Sequence, residues 1–243
     1  MRYIDLTILL CKRKNWGNSA ELWKSKQLKE DFRNCFHNKC WYTEVPLIGH
    51  DALIDHFRPK AKIKQFEKYN YNVALAACGY YWLKSKPLNY RACCIYANRK
   101  TGQGGKGCFF PLADESPFLT EHGDEKEVPL LLDPCNQDDV TLISFMGNQV
   151  VASSNNDLDK IRVKVTEVIY NMVDPYIKAE RGKVWENIAK ILEEYESGDI
   201  SRVACLRQLK DAVSRKAPFS ACAIACVNSL ASDEIRKELD LIL

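Results

Sequence analysis

The chain of 243 residues contains no apolar run approaching the roughly 18 residues that a membrane-spanning helix requires. Its longest, "DLTILLC" from residue 5 and "VPLLLDPC" from residue 128, are far shorter. The first also carries Asp5 and lacks the layout of a secretory signal, so a cytoplasmic protein is expected. Histidine is scarce, at four residues, and no CxxC pair occurs although there are eleven cysteines. An odd number of scattered cysteines without an export signal points to reduced thiols and argues against a disulfide-stapled secreted scaffold. There is no fixed-period repeat and no low-complexity tract.

What is present is ordinary for a folded chain: 46% of residues are hydrophobic and 28% charged. The length suits one domain with a long extension, or two small ones, and is ample to bury a core. The net charge of +3 hides a segregation of sign. From His56 to Lys106 eleven Lys or Arg stand against the single acid Glu67, a net of +10. From Ala113 to Asp139 nine acids stand against Lys126, a net of −8. A polyanion would be drawn to the first segment and repelled by the second. Read as a plain solvated face, the same cations need no partner.

Residues 19–34, "SAELWKSKQLKEDFRN", set Leu22, Trp23, Leu28 and Phe32 at a loose helical period opened by a capping serine. Residues 40–64, broken by Pro46 and Gly49, read as turn and strand. "YNVALAACGYYWL", 71–83, is apolar on most sides and reads as a buried helix. "TGQGGKG", 101–107, lacks the spacing and the Lys-Ser/Thr ending of a P-loop and reads as a flexible turn facing nucleic acid. Beyond Ala152 five helical periods follow, separated by Asp174-Pro175, Gly198-Asp199, Pro218 and Ser232. Cys222 and Cys226, four apart in the fourth of these, read as buried packing. The expected fold class is α+β, with one unit over residues 1–152, entered through a helical lead-in, and an all-α region over 153–243. The acidic stretch and the helical tail are candidate surfaces for docking a partner.

The chemistry-bearing residues begin with Asp55-His56. Adjacent side chains on a strand point to opposite faces, so both serve one site only where the strand is irregular or ends. Asn89 follows, then Asn98 nine residues later with Arg99 and Lys100 beside it. With "CWYTE" at 40–44, "DHFRPK" at 55–60, "YYWL" at 80–83, "FFPL" at 109–112 and "LLDPC" at 131–135, the chain resembles the HNH, or ββα-metal, nucleases. Among these it is similar to the HNH subunits of Septu-type anti-phage systems (PtuB-like), over residues 40 to about 150. In the helical tail only "YNMVDPYIKAER", 170–181, is similar.

The resemblance implies an HNH ββα-metal core embedded among helices. It also implies a metal-dependent endonuclease that hydrolyses phosphodiester bonds of DNA, or of an RNA such as tRNA. Asp55 and Asn98 would hold Mg²⁺ or Mn²⁺ through hard oxygen donors. His56 would take the proton of the attacking water, and Asn89 would hold the loop behind it. Arg58, Lys60, Lys62 and Lys64 on one side, with Arg99 and Lys100 on the other, would be phosphate contacts that position the backbone without reading bases. The implied partner is a PtuA-like ATPase subunit; because such systems also stand beside retrons, a retron reverse transcriptase with its msDNA is a second associate.

One departure is plain. Many relatives carry two CxxC knuckles around a structural zinc, whereas here Cys40 is followed by Thr43 and Cys94 by Ala97. Two thiols do not complete a tetrahedral site, and zinc would need Cys93, Cys108 or His37 as recruits. The expectation is therefore no structural zinc, with Cys40 and Cys94 packed together. His37, His50 and His122 read as surface or capping residues. A second reading stays open: a noncatalytic nucleic-acid-binding or scaffold subunit whose metal site has decayed.

Overall fold

In the computed structural model, which describes residues 1–48, 53–67, 77–99 and 104–240, the stretch after Pro46 forms one short strand, β1 (Leu53–His56). It pairs antiparallel with β2 (Tyr90–Cys93), placing Asp55 opposite Arg91 and His56 opposite Tyr90. A two-stranded ribbon is marginal alone. This one is held because β2 is buried along its whole length. Cys93 enters one apolar core with Tyr42, Phe57, Phe110 and Leu131, while Tyr90 and Ala92 enter a second with Leu28, Phe32 and Trp41.

The second core is the work of the N-terminal segment, α1 (Thr7–Leu10) and α2 (Lys26–Cys35). The helix expected from residue 19 starts at Lys26, because Ser25 is extended (ψ 127°) and its hydroxyl caps the N–H of Leu28. Leu22–Lys24 is a separate 3₁₀ turn that buries Leu22. Of the buried helix expected over 71–83, residues 71–76 lie outside the described residues. Tyr81–Leu83 is a single 3₁₀ turn, with Tyr80 buried before it and Tyr81 exposed.

Directly after β2 comes the short helix α3 (Ile95–Asn98). Further on, α4 (Gln137–Thr141) leads into a second ribbon of β3 (Ile143–Met146) and β4 (Gln149–Ala152). It turns at Gly147-Asn148, with Gly147 at φ +59°, a conformation that favours glycine. The mixture of helix and strand is that of an α+β protein.

The tail is helical: α5 (Asp157–Ile169), α6 (Pro175–Glu196), α7 (Arg202–Val213), α8 (Ser220–Leu230) and α9 (Asp233–Glu238). Side-chain caps open four of them: Asn156, Asp174 ahead of Pro175, Ser201 and Ser232. Helices α6 to α9 share a core of their own around Ile188, Leu209, Cys226 and Ile235. Helix α5 does not join it. Val163, Ile169 and Tyr170 pack into the first core. No helix among the described residues is long and apolar enough to cross a membrane.

A buried charged cluster joins the tail to the rest. Glu44 Oε2 lies 3.3 Å from Lys39 Nζ and accepts from the Ser220 hydroxyl at 2.8 Å. Its Oε1 accepts from the Ala221 N–H at 3.2 Å and sits 3.3 Å from the Met1 amine. Lys39 Nζ also donates to the Ala217 carbonyl at 2.7 Å. Burial alone would raise the Glu44 carboxyl, but the Met1 amine, Lys39 and Ser220 outweigh it and hold it below the ordinary range. A depressed carboxyl contributes stability above its unfolded value, and that stability is lost as pH falls through its folded value. Glu44→Gln leaves Lys39 buried beside a neutral amide and is expected to cost about 3–5 kcal/mol in urea unfolding at pH 7. It should also flatten the acid-side decline in stability below about pH 4. A variant as stable as the parent at pH 7 would show that the cluster does not hold the tail.

Candidate active site

Strand β1 ends at His56, and its last two side chains leave on opposite faces. Asp55 points into the first core, where Tyr42 Oη donates to its Oδ2 at 2.7 Å and Lys106 Nζ donates to its Oδ1 at 2.9 Å. His56 points to the second core, edge-on to Trp23 and to Tyr90, each with ring centroids 5.0 Å away. Both are buried, at 4% and 7% exposure.

The tautomer of His56 is fixed by its surroundings. Nε2 lies 2.9 Å from the Lys84 carbonyl, which only accepts, so Nε2 carries the proton. Nδ1 is then the lone-pair nitrogen, and it has no hydrogen-bond partner among the described residues. Burial, the largest influence, pushes the imidazole down to about 4; the Lys84 carbonyl and Asp55 pull against it. The ring is therefore neutral at pH 7.

Asn89 ties the chain behind His56. Its Oδ1 accepts from the Arg58 N–H at 2.8 Å and its Nδ2 donates to the Arg58 carbonyl at 2.9 Å, while the Phe57 N–H donates to the Asn89 carbonyl at 2.8 Å. The segment leaving β1 is thus clamped from both sides by one amide.

Asn98 ends α3 and is half-exposed. It shares no hydrogen bond with Asp55. The connection between them runs through Lys106–Gly107: the Lys106 N–H donates to the Ala97 carbonyl at 2.9 Å and the Gly107 N–H to the Asn98 carbonyl at 2.6 Å. Lys106 itself is fully buried, and its ammonium bonds Asp55 and, at 2.6 Å, the His56 carbonyl. The reading of 101–107 as a turn facing nucleic acid is corrected at this residue: Lys106 faces inward because two acceptors await it there. Residues 101–103 lie outside the described residues.

The expected phosphate contacts divide. Arg58 is committed to Glu127, with Nε 2.7 Å from its Oε2, and lies over the rings of Phe57 and Phe110, so its charge serves the fold. Lys60 Nζ sits 3.6 Å from the centroid of the Trp23 ring. Lys62, Lys64 and Arg99 are exposed and form no ion pair among the described residues. Lys100 lies outside them, as does His50, whereas His37 and His122 are exposed.

Cys40, Thr43, Cys94 and Ala97 do converge. The Thr43 hydroxyl is 3.9 Å from the Cys94 sulfur, and Cys40, Cys94 and Ala97 are buried in the same core. Burial opposes ionisation of Cys40, but the bonds from Cys94 and Thr43 outweigh it and lower its thiol, while Cys94 is raised by the same contact. Cys93 points its thiol at the Leu53 carbonyl, 3.7 Å away across the ribbon.

For a divalent ion the donor types at 55 and 98 are suitable, being carboxylate and amide oxygens. A further sign of fit is the hydroxyl of Tyr170. It is stacked on Tyr42 at 3.7 Å between centroids, buried, and without a hydrogen-bond partner among the described residues. A hydrated ion beside Asp55 would supply that hydroxyl with a water. Against this, the charge of Asp55 is already matched by Lys106. Among the described residues no group of three or more His, Cys, Asp or Glu side chains is arranged to hold a metal.

Sequence reasoning missed Tyr42, Trp23, the Lys84 carbonyl and Lys106. Only Tyr42 had a signal, its place inside "CWYTE". No known family model and no curated protein matches the chain.

Asn89→Asp keeps the acceptor for the Arg58 N–H but replaces the donor to the Arg58 carbonyl with a second acceptor. It is expected to cost about 1–3 kcal/mol, read as a lowered midpoint in thermal or urea unfolding. Equal stability of Asn89→Asp and the parent would mean that the clamp is incidental.

Proposed function

We propose that the chain is an HNH-type endonuclease that hydrolyses phosphodiester bonds of DNA or of an RNA such as tRNA, as the effector of an anti-phage complex with a PtuA-like ATPase subunit. The observation that carries this reading is His56. It closes the first strand of a strand–strand–helix unit, its proton is held on Nε2 by the Lys84 carbonyl, and Nδ1 is left as a base. A structural histidine needs only one good partner, but one whose neighbours are Asp55 in sequence and the Asn89 clamp in space has the parts of a general base.

In this reading His56 Nδ1 takes the proton of the water that attacks phosphorus, and the bridging oxygen leaves. The Nε2–H bond to Lys84 keeps the ring from rotating as it becomes charged. Asn89 acts by orientation, holding the backbone that follows His56. Lys62, Lys64 and Arg99 meet phosphates and position the strand. Mg²⁺ or Mn²⁺ held by Asp55 and Asn98 would supply stabilisation of charge on the phosphate and the departing oxygen.

A specific feature favours the second reading, a noncatalytic nucleic-acid-binding subunit: Asp55 is ion-paired and His56 leaves the ribbon on its other face. The two are separated by assembling the chain with its ATPase subunit and offering plasmid, single-stranded DNA and total tRNA, each with Mg²⁺ or Mn²⁺. The nuclease reading expects cleavage that falls about 10²- to 10⁴-fold in His56→Ala with nucleic-acid binding retained. Binding without cleavage in either metal, or a His56→Ala that cuts like the parent, decides for the noncatalytic subunit.

A further inference from the structure

A cleft of about 480 Å³ lies where the first residues of the chain meet α4, β3 and α8, and none of its lining residues belongs to the site around His56. Helix α8 lines it with Ile224 and Asn228, four apart and so on one face. Val140 of α4 and Ile143 of β3 complete an apolar wall. Arg2 and Arg215 also line it, and no Asp or Glu does among the described residues.

Both guanidiniums are held by neutral acceptors. Arg2 Nη1 donates to the Val213 carbonyl at 3.3 Å and to the Ser220 hydroxyl at 3.4 Å, and Arg215 Nη2 donates to the Tyr3 carbonyl at 2.7 Å. A guanidinium carries five N–H groups, so donors remain on each. Arg2 is half-buried, and burial is the largest influence against its charge; Glu44 favours the charge and Arg215 opposes it. Glu44 is already shared between the Met1 amine and Lys39, so it does not balance the two arginines. Asn228 adds a polar group with unmet bonding: its Oδ1 is buried and has no hydrogen-bond partner among the described residues. A half-turn of that amide exchanges Oδ1 and Nδ2, so the side chain can offer an acceptor or a donor.

We propose that this cleft binds a small organic phosphate monoester, about the size of a mononucleotide, with its phosphate on Arg2 and Arg215, its body against Val140, Ile143 and Ile224, and a polar edge on Asn228. The proposal does not depend on the nuclease reading.

Charge and size select this class. A phosphate monoester carries close to two negative charges at pH 7 and three strong acceptor oxygens, which match two guanidiniums. A carboxylate or a phosphodiester carries one charge and leaves an arginine uncompensated where water is partly excluded. A bare phosphate ion would leave the apolar wall and Asn228 unused, whereas small-molecule sites have volumes of about 300–1,000 Å³. An occupant touches the start of the chain, α4, β3 and α8 together, so its binding also fastens the helical tail to the rest.

The test is calorimetry on the full chain, parent and Arg215→Ala, with adenosine 5′-monophosphate, ribose 5-phosphate, inorganic phosphate and adenosine as probes. Arg215 is exposed, so its removal leaves the cores intact. At least one of the two esters is expected to bind at least about tenfold more tightly than inorganic phosphate and than adenosine, and Arg215→Ala to weaken it by about tenfold or more. Hydrogen exchange of the parent needs no variant. The tighter ester, at ten times its Kd, should slow exchange about tenfold in peptides covering residues 137–144 and 220–228.

Absence of binding by both esters at millimolar concentration, equal affinity for ester and inorganic phosphate, undiminished affinity in Arg215→Ala, or protection confined to other parts of the chain each overturns the proposal. So does displacement of the ester by a single-stranded oligonucleotide that lacks a terminal phosphate and binds more tightly, which would make the two arginines part of a nucleic-acid surface.

Discussion

The ion pair between Asp55 and Lys106 is the interaction on which the surrounding structure turns. Both groups are removed from water, which by itself is unfavourable by several kcal/mol for each. The arrangement holds because the hydrogen-bonding capacity is distributed: Asp55 also receives the Tyr42 hydroxyl, and Lys106 also donates to the His56 carbonyl. Four elements are tied at this point. Strand β1 supplies the carboxylate and the carbonyl, the turn after Cys40 supplies Tyr42, α3 is closed by the backbone of Lys106, and α5 is reached through Tyr170 stacked on Tyr42. Removing either charge leaves the other buried without a counterpart, so the ribbon, the short helix and the first tail helix depend on it together.

The short motifs that carry the resemblance turn out to be the frame around that point. In "CWYTE" the Trp41 N–H donates to the Ala92 carbonyl on β2, Tyr42 reaches Asp55, and Glu44 holds the start of α8. The Asp of "LLDPC" forks onto Arg91, with Oδ1 and Oδ2 at 2.7 and 2.5 Å from the guanidinium, opposite Asp55 in the ribbon. The first Tyr of "YYWL" donates to Glu127, which also holds Arg58, and Phe110 of "FFPL" packs edge-on to Phe57 and to Tyr80. These residues fix where β1 ends, and hence where Asp55 and His56 stand.

What can be read from the sequence follows from how local each signal is. The helices beyond residue 156 are legible because their caps are local: Asn156, Asp174-Pro175, Ser201 and Ser232 each satisfy N–H groups two or three residues on. The start of α2 is not, because Ser19 and Ser25 are equal as caps in sequence, and only the packing of Leu22 and Leu28 into one core selects Ser25. The hairpin at 143–152 escapes a search for helical periods, although "ISFMGNQVVA" has an alternating pattern around Gly-Asn. The Asp55, His56, Asn89 and Asn98 set is visible as residue types at a spacing, but their mutual geometry is not. Whether a lysine from a glycine-rich loop faces solvent or a carboxylate far back along the chain is decided by tertiary contact, and nothing in "GGKG" distinguishes the two.

The same limit governs charge. Along the chain, a basic block precedes an acidic one, which suggests a cationic surface beside an anionic one. In space the blocks fold onto each other: Glu127 takes Arg58 and Asp133 takes Arg91, while Asp139 turns to Arg162 of α5. With Lys106 matched to Asp55, three cations of the basic block are neutralised within the fold, and Lys60 is laid on Trp23. The cations that remain exposed among the described residues, Lys62, Lys64, Lys84, Lys86 and Arg99, follow β1 or flank the turn and helix beside β2. The positive surface of the chain is therefore not the whole basic block but a few charges distributed about the ribbon. The lysine whose carbonyl accepts from His56, Lys84, is one of them, so the turn of backbone that orients the imidazole also carries an exposed ammonium.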